Sequence, residues 1–233
     1  MACSRDERHG RAAALPPQLR HADNGRAYLL PVDPVSGGTW VAVSDTGLAL
    51  TLLNYNPKDP PTDRGVSRGG VVTTLARCAT LDEAIEGCRA IHADEMMPFR
   101  LVLCDGQRYA VWRSDEPADA IQSQPLTGPV MFTSSGLGDH LVEPPRRELF
   151  NTWFGSDPAR FIDRQLAFHQ HRWPDRPHLS VAMSREHART VSYTTVDVTP
   201  DGITMRYHPD RPDLWAEDVE ATLERKPATP VRP

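Results

Sequence analysis

The sequence predicts an α+β protein, with two mostly antiparallel sheets packed face to face and covered by helices. Three observations lead there. Strand-like runs follow one another across tight turns, as at residues 39–43 and 48–54 around 45–47, and again over 99–113 around Asp105-Gly106. Helical spacing is confined to blocks between those hairpins and does not alternate with single strands, which argues against a doubly wound parallel sheet. The chain has 233 residues, 39% hydrophobic and 24% charged, which is enough apolar material for a substantial core. One domain over residues 1–225 is expected, with 226–233 as a disordered tail.

Taken in order, Met1–Cys3 reads as the end of an apolar strand, followed by a charged loop. Gly37-Gly38 turns the chain into the first hairpin, and residues 57–68 form a loop. Residues 70–77 read as a short apolar helix. Thr80 is a good N-cap for the next helix, and Glu83, three residues on, completes a capping box. Leu81, Ala84, Ile85, Cys88 and Ile91 then recur at helical spacing. After the hairpin at 99–113, residues 129–136 read as a strand ending in small hydroxyl residues. Residues 144–154 and 158–172 read as helices, each with a Pro near its start. Residues 178–184 read as a strand, and 189–208 as two more joined at Asp201-Gly202.

Composition narrows the function. A net charge of −5 without a basic stripe gives nucleic-acid binding little support. No apolar run approaches the ~18–20 residues that span a bilayer. Cys3, Cys78, Cys88 and Cys104 lack CxxC spacing and read as free thiols in a reducing compartment. With no leader-like opening, a cytoplasmic location is expected. His169, His171 and His178 read as cations favoured at a helix C-terminus, not as metal ligands. Arg146 and Arg147 read as surface helix residues, and Trp40, Trp112 and Trp153 as core anchors. No metal site or cofactor is expected.

Four short pieces, in order, carry a resemblance: Ser4-Arg5-Asp6-Glu7, Gly37-Gly38-Thr39-Trp40, Leu53-Asn54-Tyr55 and Ser67-Arg68-Gly69. Further on, Phe132-Thr133-Ser134-Ser135 and Arg189-Thr190-Val191-Ser192 fit the same pattern. Together they resemble the NRDE family, also called the transport and Golgi organisation protein 2 family, with Ser4 in place of its Asn. The resemblance implies an αββα four-layer sandwich of the N-terminal-nucleophile hydrolase type, here with the first strand and its Cys missing. It implies Arg5, Asp6 and Asn54 as catalytic positions, and Glu7, Arg68, Ser134 and Ser135 as ligand contacts. Ser134 stands where that superfamily has a second Asn.

The chemistry of such a site is coherent. A terminal Cys lends its own amine as base, a nearby Arg lowers the thiol pKa, and an Asn amide donates to the developing oxyanion. Cys3 does not fit that role, because it follows Ala2 directly and its amine is in a peptide bond. It reads as a strand-end core residue. Either the start codon is misassigned, or the protein is a non-catalytic member of the family. The expected function is accordingly the binding of a small ligand in a cleft between two sheets. The resemblance offers haem, a lipid or an acyl-CoA as candidates. The alternative, if the true N-terminus lies upstream and supplies a Cys, is an N-terminal-nucleophile amidohydrolase or acyltransferase acting on a small amide.

Overall fold

A computed structural model describes residues 1–59, 65–155 and 158–228. Among these residues eleven strands form two sheets. The smaller contains β1 (Ala2–Arg8), β9 (Ala188–Val198), β10 (Ile203–His208) and β11 (Val219–Leu223), in the order β1-β9-β10-β11. The larger runs in sequence order through β2 (Leu15–His21), β3 (Ala27–Val32), β4 (Val41–Ser44), β5 (Ala49–Asn54), β6 (Phe99–Cys104), β7 (Arg108–Arg113) and β8 (Ser123–Pro125). All pairings between these strands are antiparallel.

Period-two alternation on β3 shows how the layers assemble. Tyr28, Leu30 and Val32 face one way, against α1 (Gly69–Leu75) and α2 (Leu81–Cys88), in a core that includes Val72, Leu75 and Leu81. Leu29 faces the other way and meets Val41 and Val43 of its own sheet and Val196, Ile203 and Met205 of the smaller sheet. On the far side, α3 (Asp139–Phe154) and α4 (Phe161–Gln170) join through Phe150, Phe154 and Phe168. The ring centroids there are 4.9–5.7 Å apart. α4 lies on β1 and β9, where the His169 ring stacks at 4.9 Å on Tyr193. The layers are thus helix, sheet, sheet, helix.

Local chemistry fixes the legible elements. Thr80 Oγ1 accepts the Glu83 N–H at 3.1 Å, and Glu83 reaches back to the Ala79 N–H at 2.7 Å, one residue beyond the usual target of a capping box. In the β6–β7 turn, Asp105 Oδ1 accepts from Gln107 and Arg108, and Gly106 takes a φ of +88° that other residues rarely adopt.

Several expectations are corrected. β2 and β3 occupy a stretch read as a charged loop, and β11 was not expected. β3 is buried along its whole length. Its two-sided burial makes it a short apolar run without alternation, which gives no periodic signal. Residues 129–136 and 178–184 are not strands. Their backbone groups find side-chain partners instead of a ladder. Arg100 donates to the Thr133 carbonyl, Arg146 to those of Leu179 and Ser180, and Thr190 Oγ1 accepts the Met183 N–H. α3 begins at Asp139, so Pro144 and Pro145 lie inside it. The expected tail is tied at its first residue, with the Lys226 N–H bonded to the Asp45 carbonyl at 2.6 Å. Residues 229–233 of that tail, and 60–64 of the loop expected at 57–68, lie outside the described residues.

Candidate functional site

A cavity of about 1050 Å³ runs along β1, between the larger sheet, the segment after β8, and helices α3 and α4. Among the described residues no strand lies beyond β1 in its sheet, so its outer edge fronts this space. Arg5, Asp6 and Asn54, expected from well-separated motifs, all line it. So do Glu7, Arg68, Ser134 and Ser135.

β1 presents its residues alternately to two layers. Cys3 and Arg5 face the larger sheet. Arg5 donates to Asp33 Oδ2 at 2.6 Å and lies 4.7 Å over the Trp40 ring. Asp33 also takes Arg11 on the same oxygen at 2.8 and 2.9 Å, while its Oδ1 accepts the N–H groups of Val35 and Ser36. Burial alone would raise the Asp33 pKa. The Arg11 hydrogen bond and the two backbone donors outweigh it and hold the carboxyl below its ordinary value. Cys3 packs against the inter-sheet core, where burial pushes its thiol up to about 12. It is a structural thiol, not a reactive thiolate.

Ser4 and Asp6 face the helical layer. Ser4 Oγ lies 2.9 Å from His169 Nδ1. Thr190 donates to Asp6 Oδ1 at 2.6 Å. Burial raises the Asp6 pKa above the usual carboxylate value despite Arg146, Thr190 and Arg185 acting to lower it. A bulge makes this pairing: Arg5 pairs with Ser192 but Asp6 with Thr190, so β9 carries Val191 as an extra residue.

Asn54 ends β5 at the cavity mouth, and its side-chain amide has no partner among the described residues. Arg68 donates to the Pro98 carbonyl at 3.1 Å, with Glu7 as its nearby counter-charge. It is set in place by a close backbone approach. A Cβ on Gly38 would lie 2.5 Å from Gly69 Cα, and one on Gly69 would lie 2.8 Å from Gly38 Cα. The Gly-Gly-Thr-Trp and Ser-Arg-Gly pieces therefore interlock. Ser135 is buried and bonded to Arg185, whereas Ser134 is partly exposed.

Other wall residues escaped the sequence reading. Arg146 is not a surface residue: it is 5% exposed and lines the cavity, while Arg147 pairs with Glu143 outside. The signal was present, since Val142, Arg146, Phe150 and Phe154 form one stripe at helical spacing. His169 is not a helix-end cation either. Burial, then Arg146 and the chain's N-terminal amine, push its pKa down to about 4, so the ring is neutral at pH 7. His171, packed 5.0 Å from Trp173, is also lowered by burial.

A protein-family model described as Transport and Golgi organisation 2 matches residues 1–190 of this chain. Among curated proteins none matches.

Proposed function

The chain belongs to the Transport and Golgi organisation 2 family, and from that premise we propose that it binds a small ligand in the cleft between its two sheets. The observation that carries this reading is convergence. Residues from β1, β5, the start of α1 and the segment after β8 meet on one cavity of about 1050 Å³, which suits a sizeable organic molecule. Haem, a lipid and an acyl-CoA are the classes the family resemblance offers. The absence of CxxC spacing and the four free thiols support a reducing, cytoplasmic setting. Among the described residues no helix is long and apolar enough to cross a membrane.

The amidohydrolase reading draws less support. It calls for a terminal Cys nucleophile, a role that Cys3, held protonated by burial, does not fill. It also calls for Arg and Asp acting together, whereas Arg5 and Asp6 face opposite sides of β1, and Arg5 is committed to Asp33.

Native mass spectrometry of the purified chain tests the proposal directly: a mass increment of one small molecule per chain is expected. With that ligand in hand, Asn54→Ala should weaken binding roughly 3- to 10-fold, the value of one hydrogen bond, without altering the far-ultraviolet circular dichroism. Affinity equal to that of the parent would remove Asn54 from the site. A chain that carries and takes up no small molecule would defeat the proposal.

A further inference from the structure

Buried cations are ordinarily matched by carboxylates, because an isolated charge out of water is costly. Arg146, buried, and Arg185, partly buried, depart from that pattern. Arg146, 5% exposed, donates to the Leu179 carbonyl at 2.9 Å, the Thr133 hydroxyl at 2.6 Å and the Ser180 carbonyl at 2.7 Å. Arg185 donates to the His178 carbonyl and to the Ser135 hydroxyl. Every one of these acceptors is neutral. Asp6 acts on both and Asp139 on Arg146, yet neither is bonded to these guanidinium groups among the described residues, and burial disfavours the charged form of Asp6. Elsewhere on the wall the inward arginines have carboxylates beside them: Arg5 and Arg11 share Asp33, Arg11 also pairs with Glu7, and Glu7 acts on Arg68. The guanidinium groups of Arg146 and Arg185 are thus bonded to neutral acceptors, in a chain whose net charge is −5.

Apolar surface adjoins that place. Phe150 lies one helical turn beyond Arg146 on the same buried stripe of α3, and Phe168, Met131 and Val181 continue the wall. Ile162, 76% exposed, extends it to the cavity mouth.

We propose that the ligand is an anionic amphiphile, with a carboxylate or phosphate seated between Arg146 and Arg185 and its apolar part laid along Phe150 and Phe168. This rests on the cleft being the ligand site. An arginine fork suits either head group, since both accept paired, charge-assisted hydrogen bonds.

Titration calorimetry with decanoate, decyl phosphate and decanol, each below its aggregation limit, tests the proposal. At least one of the anions should bind about tenfold tighter than decanol or better, and the tighter of the two identifies the head group. Arg185→Gln, at a partly exposed position, should bring the anion down to the affinity of decanol and leave decanol unchanged. Equal binding of all three by the parent chain, or a preference that survives Arg185→Gln, would overturn the anion assignment while leaving the cleft as a binding site. If none of the three binds but native mass spectrometry finds another ligand, the amphiphile assignment fails alone. If neither measurement finds any ligand, the cleft reading fails with it.

Discussion

Asp33→Ala is expected to destabilise the fold by about 3–5 kcal/mol, the usual cost of removing one partner from a buried ion pair. The Arg5 and Asp33 side chains are only 10% and 8% exposed. Without the carboxylate, Arg5 is left as an uncompensated cation between two sheets, and the Val35 and Ser36 N–H groups lose their acceptor. Asp33→Asn separates these effects, because its amide oxygen can still accept from the turn while the charge is gone. Its loss should therefore be smaller. Chemical denaturation measures both. The pH dependence has a definite sign. The Asp33 pKa is lower in the folded chain than in the unfolded one, so its contribution is complete above the unfolded value and fades as pH falls through the folded one. The gap between parent and Asp33→Asn should accordingly be full at neutral pH and close in acid. A gap that stays constant down to pH ~2, well below the ordinary carboxylate range, would show that the ion pair is not its source.

Gly38→Ala should cost about 3 kcal/mol, at the top of the range for overpacking, because the added methyl meets the Gly69 backbone and no side chain that can swing aside. Relief requires moving the start of α1 away from β4, which also displaces Arg68 from the cavity wall. Stability and ligand affinity should fall together. Gly70→Ala provides the contrast: the added carbon meets nothing within 4 Å, and a helical glycine gains up to about 1 kcal/mol from alanine. If Gly38→Ala proves as harmless as Gly70→Ala, the close approach of the two motifs is not what orders this corner.

What could be read from the sequence follows from how locally each feature is determined. The β4–β5 and β6–β7 hairpins and the cap of α2 depend on a few neighbouring residues, and they form near the expected positions. β3 pairs with its chain neighbours β2 and β4, but the packing that buries both its faces comes from α1, α2 and the smaller sheet, and the two segments wrongly read as strands also take partners far away in the chain. Residues 129–136 are rich in strand formers, yet their polar groups go to Arg100, Arg146, Arg185 and Asp139. The positions carried by short motifs, such as Arg5, Asn54 and Arg68, reach the same cavity. Arg146, Arg185 and His169 belong to no such motif. Their environment is set by the helical layer, and a surface arginine and a buried one look alike in sequence unless the apolar stripe around them is counted.

The extra residue in β9 works like a frameshift. Along a regular strand, Thr190 would share the orientation of Ser192 and Thr194. Inserting Val191 changes the parity from that point onward, and Thr190 comes to stand beside Asp6. One residue thus sets which side the polar end of β9 serves, and the same sheet can seal an apolar interior at one end and hand a hydroxyl to a buried carboxylate at the other.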